Sequence, residues 1–373
     1  MSAAWASYVA ACLVLCACSS SSSTAAVVRD GGSGATDDSG DRDNSSSGSS
    51  GGGGGGESSG SESGSSSGGG IADSDGGDAA TNADGAGPGA PSPMLVGYLP
   101  DYNGSYADYA KSINFSKMTH VDFAFVDPPQ CHGTCTSGSD MTFSLGQSDQ
   151  DIATFVTAAH AAGVKVIASI GGGGGDQMII QFYNAGLSTQ LVDSLDTWVT
   201  AHDLDGVDLD IEDPSNMGAN YGTFTSALIA KFHPEGRVVT AAVASYLQQG
   251  GGAPDSALKQ FDFLNDMWYS SDVDGATGEL QFFVQLGIPE DRITLGVPFF
   301  GQEGNNEPEY GQILQKYPNA WQSDSTNGIS YVGEATMAAE TKLGIQYGGI
   351  MIWELTGDAP PPHSLLNVIQ TNL

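Results

Sequence analysis

Positive charge is what this sequence has least of: 11 Lys and Arg stand against 44 Asp and Glu in 373 residues, a formal net charge of −33. A chain so poor in cations cannot neutralise a phosphate backbone, which excludes nucleic-acid binding of the electrostatic kind and leaves neutral or cationic partners. The deficit is not confined to a tail, since residues 94–373 keep 33 acidic against 9 basic side chains. Long apolar runs are missing as well. The stretch 9–15 is too short to span a bilayer and suits the core of an export signal. Residues 19–93 have almost no large apolar side chains, and their Ser, Asp and Gly, including the run 51–56, leave nothing from which to build a core. From Met94 onward there is neither a GxGxxG nor a GxxxxGKS or GxxxxGKT pattern, so the commonest nucleotide sites of open α/β sheets are absent.

Three regions follow: an export signal over 1–18, a disordered Ser/Gly/Asp linker over 19–93, and a folded part over 94–373. The signal ends Leu15-Cys16-Ala17-Cys18, which resembles a bacterial lipoprotein box, although residues 1–5 lack the usual Lys or Arg. That resemblance implies acylation of Cys18 and a protein held at the cell surface or outer membrane; an ordinary cleaved signal would give a freely secreted one. The linker, as a Gly/Ser coil, has a root-mean-square span of about 50 Å. The membrane would be touched only through the lipid. In the folded part the two cysteines, Cys131 and Cys135, are expected to form a local disulfide, because Cys-x3-Cys with His132 offers too few ligands for a metal. No metal and no cofactor is expected, and the chain is expected to act as a monomer.

Runs of β character alternate with helical patterns throughout 94–373. Strands are expected over 95–98, 119–126, 164–170, 206–212, 237–244, 263–269, 293–299 and 349–353. Helices are expected over 150–162, 191–202, 221–232, 279–286, 334–343 and 363–371. Eight β/α repeats without a hairpin signal point to the α/β class and a closed (β/α)8 TIM barrel, with an open doubly wound sheet as the alternative.

The chemistry concentrates in Asp205-Gly206-Val207-Asp208-Leu209-Asp210-Ile211-Glu212. Alternation along a strand sends Asp208, Asp210 and Glu212 to one face and the aliphatic residues to the other. In a barrel the aliphatic face meets the helices, so the carboxyls line the interior, about 6.6 Å apart per two-residue step, and climb to the C-terminal rim. Three like charges in a low-dielectric interior cannot all ionise. A proton is shared, and the outermost group is held available as an acid.

This segment resembles the DGxDxDxE motif of family-18 glycoside hydrolases, complete from Asp205 to Glu212. Ser169-Ile170-Gly171-Gly172 is similar to the family's SxGG, Met267-Trp268-Tyr269 to its Met-x-Tyr, 295–301 to LGxPFYG and 348–354 to GGxMxWE, in the family's order. The resemblance implies a chitinase that hydrolyses β-1,4-linked N-acetylglucosamine by a retaining, substrate-assisted route through an oxazolinium ion. Glu212 would be the acid, Asp210 would hold the acetamido N–H, Asp208 would share a proton with Asp210 under hydrogen bonds from Ser169 and Tyr98, and Tyr269 would donate to the acetamido oxygen. Tyr98, Ser169, Gly172, Met267, Trp268 and Trp353 would line the sugar site, with Trp353 as its floor. An endo-β-N-acetylglucosaminidase acting on N-glycans and a non-catalytic chitin-binding lectin remain alternatives; lectin relatives typically lose the terminal Glu.

Two positions depart from the family pattern. Ser270 stands where an Asp usually follows Met-x-Tyr, with Asp272 close enough to substitute, and Gln302 stands where a basic residue is common. The interval 302–347 is too short for the α+β insertion of members that attack chain ends, so an open groove and endo action are expected.

Overall fold

The computed structural model describes residues 93–373 apart from residues 132, 174, 250 and 251; the expected signal with Cys18, and the linker up to residue 92, lie outside the described residues. Eight parallel strands close into a barrel: β1 (Met94–Pro100), β2 (His120–Ala124), β3 (Lys165–Gly171), β4 (Gly206–Asp210), β5 (Val238–Val243), β6 (Leu264–Asp266), β7 (Ile293–Pro298) and, after a hairpin of β8 (Ser325–Thr326) and β9 (Ile329–Ser330), β10 (Gly349–Trp353). β10 pairs with both β1 and β7 and completes the ring. The open-sheet alternative is thereby excluded.

Helices cover the outside: α1 (Tyr106–Ser112), α2 (Asp149–Ala161), α3 (Asp176–Asn184), α4 (Ser188–Ala201), α5 (Ala219–Phe232), α6 (Ser245–Gln249), α7 (Asp255–Leu258), α8 (Val273–Gln285), α9 (Tyr310–Lys316), α10 (Glu334–Gly344) and α11 (Leu365–Asn372). Their starts follow capping chemistry. Ser148 accepts from the Asp151 amide at the head of α2, and Ser364 accepts from Asn367 at the head of α11. Asp358 also takes the amides of Leu365 and Leu366, which ties α11 to the chain leaving β10.

Alternation divides each strand between two environments. Val121, Phe123, Val166, Ile170, Val207, Leu209, Val239, Leu295 and Ile352 belong to the large apolar layer between strands and helices. Met94, Val96, Tyr98, Ala124, Phe263 and Met351 form a separate small cluster inside the barrel, with Phe125, Met267, Tyr269 and Trp353 against it. The strand backbones separate the two apolar clusters, and the rest of the interior is largely polar, with His120, Asp122, Ser169, Asp208, Thr240 and Asn265.

The observed elements correct several boundaries. α8 starts six residues before the expected 279, because Asp272 caps it by accepting from Gly275 N. β4 ends at Asp210, so Glu212 sits on the loop above the strand. Cys131 and Cys135 are disulfide-bonded, with Cα atoms 5.3 Å apart. Between β7 and β10 the described chain holds α9, the two-residue hairpin and α10, and no inserted α+β domain.

Candidate active site

The register of the barrel brings the polar interior residues to neighbouring strands: Tyr98 lies beside Asp122, Ser169 beside Asp208, and Asp208 beside Thr240. Asp208 is the hub. Its Oδ2 accepts from Tyr98 Oη at 2.9 Å and Ser169 Oγ at 2.7 Å, and its Oδ1 accepts from Thr240 Oγ1 at 2.7 Å. Behind this shell Asn265 donates to Tyr98 Oη at 3.2 Å and accepts from Thr294 Oγ1 at 2.8 Å. Burial pushes Asp208 up, but these hydrogen bonds pull it back, so the charge of the interior is best held there.

Its carboxyl neighbours have less of that compensation, Asp122 Oδ2 accepting from Asn265 Nδ2 at a long 3.5 Å. Asp122 is pushed well up by burial and by Asp208, and Asp210 by burial, Glu212, Asp208 and Asp176. Asp210 Oδ1 is buried with no hydrogen-bond partner among the described residues. Asp122 and Asp210 are therefore driven toward the protonated form more strongly than Asp208, the better-solvated carboxyl of the three. Glu212, half-buried above them, is pushed up to about 7, by burial first and then by Asp176.

The remaining residues wall the mouth. Trp353, half-buried, stacks on Phe125 with ring centroids 5.5 Å apart at 23° and approaches Tyr98 at 5.6 Å. Tyr269 packs edge-on against Phe300, and its hydroxyl lies 3.9 Å from Met351 Sδ; burial, then Asp210 and Glu212, hold it protonated. Met267 lies in the same inner cluster. At Gly171 and Gly172 the chain turns with φ of 112° and 70°, and Gly172 N donates to the Asp210 carbonyl at 2.9 Å. A Cβ on Gly171 would strike that carbonyl, and one on Gly172 would strike the Phe125 ring, so only glycine lets this loop lie against β4.

Two expectations need correction. Trp268 does not reach the sugar site: it is buried in the layer between barrel and helices, its ring over Gly275 of α8, because it alternates with the inward Met267 and Tyr269. Asp272 is an exposed helix cap and does not replace the missing Asp at Ser270. Ser270 and Gln302 instead line one uncharged cavity of about 120 Å³ beside Tyr269, closed by Phe300, Ser330 and Tyr331. The hairpin forms its wall, with Gln302 N donating to Ser330 O at 2.6 Å. Asp205, first residue of the motif, lies at the opposite end of the barrel, where it accepts from Val166 N at 2.7 Å and pairs with His160 Nε2 at 2.8 Å.

Sequence reasoning missed Asp122, Thr240, Asn265 and Asp176. The first three sit at inward positions of expected strands, so alternation could have found them. Asp176 opens α3, and nothing periodic marks it.

Residues 94–358 match the sequence profile Glycosyl hydrolases family 18. The chain belongs to this family. Among solved family-18 structures, the chitinase ChiB from the chitin utilization locus of Flavobacterium johnsoniae is 25% identical, with a TM-score of 0.63 over 76% of this chain and 94% of that one. A chitinase-like agglutinin from Robinia pseudoacacia, 20% identical, shares the fold with a TM-score of 0.59 over 74% of this chain and 98% of that one. A curated chitinase-like effector of Moniliophthora perniciosa is 32% identical over 128 residues, which is 34% of this chain and 27% of that protein. The family-18 barrel thus occurs in proteins described as chitinases and in one described as an agglutinin, so membership alone leaves the activity to be argued from the site.

Proposed function

We propose that the protein is a chitinase that cuts β-1,4-linked N-acetylglucosamine chains internally, with retention, through substrate assistance. Glu212 donates its proton to the glycosidic oxygen as the C1–O bond breaks. The acetamido oxygen of the same sugar attacks C1, closing an oxazolinium ring and leaving the aglycone with the donated proton. Asp210 accepts the acetamido N–H, and as positive charge develops its own proton passes toward Asp208, whose three donors shift to share it. Water then opens the ring while Glu212 takes a proton back. Tyr269 orients the acetamido group, and Trp353 supplies an apolar face for the sugar.

The observation that carries this reading is the Glu212 carboxyl, half-buried at the mouth and pushed up to about 7, which keeps a proton at the pH where a glycosidic oxygen needs one. A non-catalytic sugar-binding relative is expected to have lost this Glu, and here it is present. Endo action is supported by the short hairpin between β7 and β10, which does not deepen the groove. Chitin oligomers and a high-mannose glycopeptide, offered side by side, test the substrate, and early NMR spectra test the mechanism. The first product should be the β-anomer; early α-anomer excludes substrate assistance. With soluble chitin derivatives, viscosity should fall before reducing ends accumulate, whereas steady disaccharide release at constant viscosity would show attack from chain ends.

Export and anchoring at Cys18 are part of the same proposal, supported by the residues that end the signal. Intact protein should partition with membranes and Cys18→Ser should release it; equal solubility would favour a freely secreted enzyme.

A further inference from the structure

A fourth carboxyl stands beside the acid, outside the DGxDxDxE motif. Asp176, the first residue of α3, is 2% exposed although it opens a helix at the rim. Its Oδ2 accepts from the backbone N–H of Asp213, the residue after Glu212, at 3.2 Å, and Gln177 Nε2 reaches its Oδ1 at 3.4 Å. Gly171, Gly172 and Gly175 set the turn that delivers it. Gly171 and Gly172 lie against the Asp210 carbonyl, Gly175 N donates back to Gly172 O at 3.1 Å, and a Cβ on Gly175 would strike the Gly171 carbonyl. The loop is therefore folded tightly enough to turn the first side chain of α3 toward the end of β4.

We propose that Asp176 is a positioning residue for the acid: it grips the amide that follows Glu212 and keeps a negative charge beside the Glu212 carboxyl. This rests on the reading of Glu212 as the proton donor. A like charge at close range disfavours ionisation of its neighbour, and here it acts together with burial. Asp176 is itself pushed up, by burial first and also by the Asp213 charge, and is drawn back by hydrogen bonds from the Asp213 amide and Gln177. The other groups facing the pair are Asp210 from β4 and Tyr269 from the chain after β6 around Glu212, and Asp213 beside Asp176. After burial, Asp176 is the neighbouring charge that raises Glu212.

Asp176→Asn keeps an acceptor for the Asp213 amide and removes the charge. Glu212 should then lose its proton at lower pH, so the alkaline limb of kcat/KM should move toward acid by about half a unit to one unit. On that limb the variant should fall about 3- to 10-fold below the unmutated enzyme, with little change well below it. Asp176→Glu, which restores the charge, should bring the limb back. An unmoved limb, or an equal loss at every pH, overturns the proposal and leaves Asp176 a purely structural residue. The unmutated chain gives a second reading that needs no substrate and no variant at Asp176. In a 13C NMR titration the Glu212 carboxyl resonance should show an inflection where Asp176 ionises; a single inflection overturns the proposal. Absence of hydrolysis in the unmutated protein would instead count against the chitinase reading and leave this coupling to stand on the titration.

Discussion

Inside the barrel the strands present Asp122, Ser169, Asp208, Thr240 and Asn265; one residue away on the same strands Phe123, Ile170, Leu209, Ala241 and Leu264 press against the helices. Both regions are fully buried, yet they are stabilised differently. The outer layer gains from apolar area removed from water, which is indifferent to pH. The inner region gains only where each polar group finds a partner, and Asp208 with three donors contrasts with Asp210, whose Oδ1 has none among the described residues. The interior thus solvates one carboxyl, Asp208, far better than its neighbours, at the expense of the packing that the outer layer achieves. β6 shows that the division is not absolute. Asp266 faces outward with no exposure, beside Glu279 of α8, whose oxygens accept from Ser245 N and Oγ at 2.6 Å each.

The contrast breaks most severely at its functional end. Glu212→Gln should lower kcat by about 10²- to 10⁴-fold, read with chitin oligomers, while oligomer binding measured by calorimetry stays within a few-fold. Leu209→Ala, one residue from Asp208 on the opposite face, should cost about 2–5 kcal/mol in urea unfolding with the site chemistry retained in the folded fraction. If its loss were instead mainly in kcat, the two faces would not be independent. Asp208→Asn should do the reverse, lowering kcat about 10- to 100-fold with a smaller change in stability, because three donors lose their charged acceptor while the shape is kept.

The smallest effect sharpens the comparison at its exception. Burial, then the Glu279 charge, push Asp266 well above the ordinary carboxylate range. Between the unfolded and folded values the native state binds more protons than the unfolded one, so stability is highest below the unfolded value and falls as pH rises toward the folded one. Asp266→Asn should therefore flatten this dependence and raise stability at neutral to alkaline pH, by less than Leu209→Ala removes. An unchanged pH dependence of the urea midpoint would show that the pair is compensated by something else.

Much of this division is legible in the sequence, and the exceptions have physical causes. The carboxyl ladder of β4 is readable because aliphatic residues alternate with it without interruption. Trp268 misleads because residue type suggests a sugar platform, while alternation, applied strictly between Met267 and Tyr269, sends it outward. The helices α1, α3, α6, α7 and α9 are nine residues or fewer, and α3 follows a glycine run that reads as loop. The first turns of α8 contain Gly275 and Gly278, which dilute helical propensity until the cap at Asp272 is known. Asp176 is invisible for a different reason: its relation to Glu212 is made by the fold across 36 positions, and no local pattern encodes it.

Burial and the Asp176 charge beside it keep the Glu212 carboxyl protonated up to about pH 7. A 13C NMR titration of the side-chain carboxyls, with the Glu212 resonance assigned by its loss in Glu212→Gln, measures this directly. The account predicts a midpoint of about 7, with the protonated, active form present below it and lost as pH rises through it. A midpoint near 4.3, the value of an ordinary exposed glutamate, would contradict it.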